Sequence, residues 1–262
     1  MNTFVIDQLN KEIITGTKLA LVTVTKSTGS APGRTGNMML VYPDGSIVGT
    51  CGGGKVEFTI IKQAVECLKT GESAEYNIVL DDIGMSCGGQ MKGFIDVQMN
   101  DKQLVIIGGG HIGSKLYSLA LELGFSITLI DDREEYANEL KFPKARTISG
   151  NLTDILKKES FTDKYVVIVS KGHVTDYQAL LEIVDKDYKY LGLIGSKKKI
   201  IKLLSELKED GFDYTNYANF FAPVGLGIAK NDPAEIALGI LAEILLIKNK
   251  GNAGHMRLKK WN

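Results

Sequence analysis

The chain has 262 residues, of which 44% are hydrophobic, enough to bury one large core or two modest ones. Lysine plus arginine and aspartate plus glutamate both number 31, so no long-range field favours nucleic acid or an anionic membrane. The N-terminus lacks the layout of a secretory signal, and the apolar segment 236–247 is shorter than the roughly 20 residues that cross a bilayer. We therefore expect a two-domain cytoplasmic protein that binds neither nucleic acid nor membranes.

Three cysteines, Cys51, Cys67 and Cys87, do not form the even set that is typical of a disulfide scaffold. Their spacing contains no C-x-x-C pair and no paired histidines, so a structural zinc site has little support. Cys67 falls inside a predicted helix, beside its apolar stripe, and we expect it in the core.

Residues 1–100 are predicted to form an α+β domain. Strands are expected at residues 19–25, 38–42, 46–50, 76–80 and 94–97. After the third strand, apolar residues that include Phe58, Ala64 and Leu68 recur at helical spacing, and Gly71 ends the helix. The polar segment 100–103 is the predicted linker.

Two glycine-rich turns punctuate this domain. The first comprises Gly52, Gly53 and Gly54 and lies at the predicted helix N-terminus, where free backbone N–H groups can hold a phosphate. In the second, Gly88 and Gly89 follow Cys87, so a ligand can approach the sulfur closely. A thiolate there can bind a soft metal or carry sulfur. The alternative is that Cys87 is only a small buried residue of the turn.

Residues 101–262 are predicted to form a second domain, in which strands alternate with helices. Strands are expected at residues 104–107, 127–130, 165–170 and 190–194, and a helix at residues 113–123. A last helix begins after Asp232, with Pro233 at its first position and Glu235 completing a capping box. This alternation predicts a parallel sheet covered by helices on both faces.

The segment from Gly108 to Gly113 matches the pattern G-x-G-x-x-G, with Gly110 in the second glycine position. It follows a predicted strand and opens a predicted helix, and Asp131 ends the next strand about twenty residues on. This context predicts a Rossmann-like, doubly wound domain that binds a phosphate at the helix N-terminus. The Asp131 carboxylate would accept hydrogen bonds from a ribose diol, and the negative charge of Asp132 would repel a 2′-phosphate.

Polar residues follow two further strands at the edge where ligands bind in such sheets. His173 and Asp176 lie on the predicted loop after residue 170, where His173 can act as an acid or base, or cap a helix and face water.

Gly195, Ser196 and Lys197 follow the strand at 190–194, where Lys197 can bind phosphate. The alternative, a solvated helix face, suits Lys198 and Lys199 better than Lys197.

The chain resembles the XdhC/CoxI family of molybdenum hydroxylase maturation proteins over its full length. The motifs that carry the resemblance are residues 29–32, 49–57, 87–89, 105–113, 192–197, 222–226 and 232–237.

The resemblance implies a protein that binds molybdenum cofactor (molybdopterin), helps it gain its terminal sulfur and delivers it to xanthine dehydrogenase or a related hydroxylase. It implies a homodimer and, as sulfur donor, a cysteine desulfurase. It also places Cys87 at the metal as the residue that carries the chemistry. Cys51 departs from the family pattern, which usually has an apolar or small residue there, and is either a harmless replacement or an added thiol near the cofactor.

Other classes of function stay open at this point. The fingerprint with Asp131 fits an NAD-dependent oxidoreductase, for which His173 is the candidate acid or base. A nucleotide-sensing regulatory module would use the same domain. A Rossmann domain whose pocket has been lost is the remaining alternative.

Overall fold

The computed structural model describes residues 2–85, 88–209 and 211–255. They group into two compact units, residues 1–100 and residues 101–262. The first unit contains a five-stranded antiparallel sheet and the second a six-stranded parallel sheet. The predicted fold class, an α+β domain followed by a doubly wound α/β domain, is confirmed.

The first unit has two helices and five strands in the described residues. They are α1 (Asn2–Thr15), β1 (Leu19–Gly29), β2 (Met38–Val41), β3 (Ile47–Gly49), α2 (Gly54–Thr70), β4 (Ala74–Val79) and β5 (Gly89–Gln98). The sheet order is β3-β2-β1-β5-β4. The long strand β1 lies in the centre and pairs with β5 as far as Gly29 and Gly89, so its end meets the second glycine turn.

Alternation along β1 gives the sheet two apolar faces. Ala20 and Val22 belong to a core cluster with residues of α2, whereas Leu19 packs with Val5 of α1 and Leu40 of β2. Each face is therefore covered by one helix. Helix α1 was not predicted, because only Val5 of this helix is buried and its apolar residues form no clear stripe.

Helix α2 buries most of the apolar stripe expected, but not Phe58. Its buried residues are Val56, Ile60, Ala64 and Leu68, whereas Phe58 is 59% exposed. Including Phe58 in the apolar face was therefore wrong. Gly71 ends the helix in the left-handed conformation, with φ of 80°, and its N–H donates to the carbonyl of Cys67.

The second unit has six strands and five helices in the described residues. They are β6 (Gln103–Ile107), α3 (His111–Glu122), β7 (Ser126–Asp131), β8 (Ala145–Ser149), α4 (Leu152–Lys158), β9 (Tyr165–Ile168), α5 (His173–Ile183), β10 (Tyr190–Leu193), α6 (Lys197–Glu209), β11 (Phe220–Phe221) and α7 (Pro233–Lys248). The sheet order is β11-β10-β9-β6-β7-β8, so the order reverses between β6 and β9. This is the strand order of the Rossmann fold.

Helices cover both faces of the parallel sheet. Residues of α3 and α7 pack on one face, against side chains such as Ile106, and residues of α4, α5 and α6 pack on the other, against side chains such as Val105. The buried strands consequently read as continuous apolar runs. The elements β8, α4 and β11 were not predicted.

Asp232 caps α7 as expected, since its carboxylate accepts from the backbone N–H groups of Ala234 (2.8 Å) and Glu235 (3.2 Å). Across the residues that are described, none of the helices is long and apolar enough to cross a membrane.

Candidate functional site

A cavity of about 300 Å³ lies where the strand order of the parallel sheet reverses. Such a switch point is where open α/β sheets bind ligands. The loop after β6, the start of α3 and the loop after β9 form most of its wall. Residues that line it include Gly108, Gly110, His111, Arg133, Ser170 and Lys171.

The glycines of the fingerprint differ in the space around them. A Cβ atom at Gly108, Gly109 or Gly113 would lie 2.4 Å or less from a backbone carbonyl oxygen. At Gly110 nothing lies within 4 Å, and its φ of −71° is open to any residue. Three of these glycines are thus required by packing, and Gly110 opens onto free space at the start of α3, where backbone N–H groups have no intrahelical partner.

Asp131, the predicted ribose acceptor, is 4% exposed and fully engaged within the protein. Its Oδ1 accepts from the backbone N–H (3.1 Å) and Nε (2.9 Å) of Arg133. Its Oδ2 accepts from the backbone N–H of Gly109 (2.9 Å) and Nη2 of Arg133 (3.1 Å). A carboxylate offers about four lone pairs, so a ribose diol finds no free acceptor here.

Burial raises the pKa of Asp131, but the hydrogen bonds from Arg133 and Gly109 together outweigh burial, so this pKa lies below its ordinary value. The neighbouring Asp132 carboxylate pairs with Lys171 Nζ (2.6 Å). Arg133 and Lys171 contribute to the cavity wall, and neither aspartate does. The expected repulsion of a phosphate by Asp132 is therefore countered by cations that lie closer to the cavity.

A buried ion pair lies beside the cavity. Asp176 has no exposed surface, and its carboxylate accepts from Ser170 Oγ and Lys199 Nζ. Burial raises the pKa of Asp176, which the bonds from Lys199 and Ser170 offset only in part. Lys199, expected on a solvated helix face, instead reaches this buried carboxylate from the first turn of α6, so that expectation was wrong.

His173 and Asp176 belong to the first turn of α5 and not to a loop. His173 Nε2 lies 2.6 Å from Glu206 Oε2, which gives the imidazole a partner on α6. Lys197 begins α6 and is exposed, and Ser196 Oγ accepts from the backbone N–H of Lys199 (3.3 Å).

In the first unit, three glycine turns pack directly against one another. A Cβ at Gly29 would lie 2.8 Å from Gly89 Cα, and one at Gly33 would lie 2.1 Å from the carbonyl oxygen of Cys51. A Cβ at Gly52 would lie 2.5 Å from Gly33 N. The three turns therefore form one backbone junction, in which a side chain has no room at Gly29, Gly33, Gly52 or Gly89. A Cβ at Gly53, Gly54 or Gly88 would meet nothing within 4 Å.

One backbone N–H group of the glycine triplet, that of Gly53, already donates to an anion of the protein itself. Glu57 Oε2 accepts from Cys51 N (2.9 Å), from Gly53 N (3.3 Å) and from the hydroxyl of Thr50. The expectation that Gly52, Gly53 and Gly54 hold a cofactor phosphate stays a prediction, and a phosphate there would compete with Glu57 for the N–H groups of Cys51 and Gly53.

The cysteines occupy different environments. Cys51 has no exposed surface, and burial together with the charge of Glu57 raises its pKa to about 12, so its thiol is a neutral group of the core. Its predicted role near the cofactor stays a prediction. Cys67 is half-buried against the same core, and burial raises its pKa. Cys87 lies outside the described residues, and its role at a metal stays a prediction. Its neighbour Gly88 accepts from Ser30 N (3.2 Å).

No cluster of three or more His, Cys, Asp or Glu side chains that could hold a metal ion occurs in the part of the chain that the structure describes.

A model of the XdhC Rossmann domain matches residues 104–244, more than half of the chain. The chain belongs to the XdhC family. A second model, of the XdhC and CoxI family, matches residues 14–80. The family resemblance expected from the glycine motifs is confirmed.

Two relatives extend the comparison. The uncharacterized protein YqeB of Escherichia coli (strain K12) is 34% identical over 252 residues, 90% of this chain and 45% of that protein. A probable xanthine dehydrogenase subunit from Bacillus subtilis (strain 168) is 29% identical over 150 residues, 56% of this chain and 43% of that protein. The chain spans less than half the length of these curated relatives.

Among solved structures, a xanthine dehydrogenase from Bacillus halodurans has a similar fold. The TM-score is 0.51 with 19% sequence identity, and the match covers 94% of this chain and 96% of that one. At this identity the likeness is one of fold alone.

Sequence reasoning missed several residues of the site. Arg133 follows two aspartates directly, which hinted at an ion pair, but only the fold places its guanidinium on the cavity wall. Lys171 gave no signal of its own. For Glu57, the signal was an acidic residue in the first turn of the helix that the glycine triplet opens.

Glu57→Ala is expected to lower the free energy of unfolding by about 1–3 kcal/mol, because two backbone N–H groups lose their acceptor. Glu57→Gln keeps an acceptor oxygen and should lose less. Urea unfolding followed by circular dichroism measures both. Glu66→Ala, an exposed glutamate of the same helix, is the matched control and should change little. An Ala variant at Glu57 as stable as the wild type would contradict the role assigned to this carboxylate.

The lowered pKa of Asp131 predicts an acid-dependent contribution to stability. Because the folded-state pKa lies below the ordinary value of 3.8, the contribution is complete above that pH and is lost as pH falls through the folded-state pKa. The difference in melting temperature between wild type and Asp131→Asn should be constant from about pH 7 to pH 5 and should narrow below about pH 4. A difference that widens in acid would show that the sign is wrong.

Proposed function

We propose that this protein is an accessory factor for xanthine dehydrogenase or a related molybdenum hydroxylase, which binds molybdenum cofactor and assists its sulfuration and insertion. Membership of the XdhC family supports the accessory role, as does a relative named as a probable xanthine dehydrogenase subunit. A cysteine desulfurase as sulfur donor and a homodimeric state belong to the same proposal, on the family resemblance.

The observation that carries the cofactor proposal is the cavity at the start of α3. Gly110 leaves free space there, and Arg133 and Lys171 supply cationic groups in its wall. The free N–H groups and the dipole of a helix N-terminus favour a phosphate at this position. The phosphate of molybdopterin fits these donors, whereas in the first unit Glu57 already accepts from the N–H groups of Cys51 and Gly53.

When bound, the cofactor supplies the molybdenum centre and its sulfur ligands. The residues of this chain would hold the phosphate and neutralise its charge. Backbone N–H groups at the start of α3 would donate to the phosphate oxygens, and Lys171 would offset their charge.

The alternative of an NAD-dependent oxidoreductase has less support. The carboxylate of Asp131 has no acceptor left for a ribose diol, and His173, its candidate acid or base, is paired with Glu206. A nucleotide-sensing module remains compatible with the cavity, and the choice of ligand in the next experiment separates it from the cofactor proposal.

Gly110→Val should fold like the wild type, because nothing lies within 4 Å of its Cβ position, and should lose binding, because its side chain fills the space for the phosphate. The measurement is the rise in melting temperature on adding molybdopterin, NAD or ATP to the full chain. Gly109→Ala is the contrasting variant: its Cβ would lie 1.8 Å from the carbonyl oxygen of Tyr136, so it should melt lower without any ligand. An equal rise in the melting temperature of wild type and Gly110→Val on adding molybdopterin would show that the cavity at Gly110 does not bind the cofactor phosphate.

For the sulfur step we propose Cys87, on its place before Gly88 and Gly89 and on the family resemblance. Cys87→Ser should keep the fold and the cofactor phosphate site but deliver poorly active cofactor. The readouts are cofactor bound per protein and activity restored to a cofactor-free hydroxylase. Cys67→Ser is the control for thiol removal, and Cys51→Ser should act only through stability, since Cys51 is a core residue. Normal delivery by Cys87→Ser would rule out the assignment.

A further inference from the structure

The position that normally recognises a ribose is altered in this Rossmann unit. In dinucleotide-binding domains, the carboxylate at the end of the second strand accepts hydrogen bonds from the ribose diol. Asp131 occupies that position at the end of β7, and its carboxylate accepts four hydrogen bonds, three from Arg133 and one from Gly109. A neutral diol, which must donate, meets an acceptor with no lone pair to spare.

Arg133 places hydrogen-bond donors and a positive charge at the same position. Its Nε and Nη2 atoms bond Asp131, and Nη1 has no hydrogen-bond partner among the described residues. The guanidinium also stacks on the ring of Tyr136, at 3.8 Å from the centroid, and both residues line the cavity. Held by a carboxylate and by an aromatic ring, Arg133 loses little freedom when it binds a ligand.

The charges around this position are arranged with the cations toward the cavity. Lys171 lines the cavity with Arg133, and its ammonium is 2.6 Å from Asp132 Oδ2. Asp131 and Asp132 balance the two cations in number, but neither carboxylate contributes to the cavity wall. A ligand in the cavity therefore meets two cationic groups first.

We infer that the ribose position of this Rossmann unit is an anion site built on Arg133, so that the ligand carries two anionic groups. One lies at the start of α3 and the second lies at Arg133. An arginine near this position accommodates a 2′-phosphate in other Rossmann domains, which is the same chemistry. The inference deepens the proposed function and rests on it, because the first anion is the phosphate proposed for α3.

Two nucleotides that differ in a single group test the second anion. Adenosine 2′,5′-bisphosphate carries both phosphates, and adenosine 5′-monophosphate carries a free ribose diol instead of the second. Isothermal titration of the full chain should show the bisphosphate binding at least about tenfold more tightly. In Arg133→Gln this preference should vanish or reverse, because the cation is lost and Asp131 becomes free to accept from a diol.

The matched control is Arg146→Gln, which breaks a similar two-bond pair with Glu159 (2.7 Å each) away from the cavity and should leave the preference unchanged. If Arg133→Gln fails to fold, the double variant Arg133→Gln with Asp131→Asn removes both charges together and should also lose the preference. Equal binding of the two nucleotides to the wild type, tighter binding of the monophosphate, or binding of neither would overturn the inference. Should the wild type bind neither nucleotide but bind molybdopterin in a Gly110-dependent way, the anion site fails and the proposed function stands.

Discussion

The candidate site depends on the need to satisfy one buried charge. Asp131 lies at the end of a buried strand with 4% of its surface exposed, and an ionised carboxylate at such a position is costly unless it is paired and hydrogen-bonded. The chain meets this need with Arg133 and with the backbone N–H of Gly109. The first partner fixes a guanidinium at the cavity wall, and the second fixes the loop that opens α3. Lys141 Nζ donates to the carbonyl of Gly109 (2.9 Å), so this peptide is held on both sides.

The same rule applies at two other positions, of which the first was expected to hold a ligand. Glu57 supplies the anion for the backbone N–H groups beside the glycine triplet, and Asp176 supplies the partner for Lys199 at the edge of the parallel sheet. Glycine turns and lysines after strands are typical of phosphate sites, but a carboxylate of the protein satisfies the same donors. Gly110 faces open space beside a cavity whose lining includes Arg133 and Lys171, and no carboxylate of the described residues contributes to that wall.

Local patterns were sufficient to predict the elements that carry strong periodicity or clear end signals. The strands around the fingerprint, α2 with Gly71 at its end and α7 behind Asp232 were all predictable from spacing and caps. Helix α1 and strand β8 were not, because each presents a half-exposed surface whose burial depends on the sheet beside it. The candidate residues on the sheet edge could be named from their strand ends, but the partners of Asp131 and Asp176 depend on distances across the fold that no spacing reveals.

The closed environment of Cys51 makes this thiol a reporter of opening in the first unit. With a pKa of about 12 and no exposed surface, it reacts with an alkylating reagent only when the core cluster around it, which includes Val56, Ile60 and Met91, opens. In a chain whose other two cysteines are replaced, the labelling rate of Cys51, divided by the rate for a free thiol, gives the population of that open state. Opening of this core next to the backbone junction of the three turns, where Gly33 touches the carbonyl of Cys51, can thus be followed in solution without any ligand or partner.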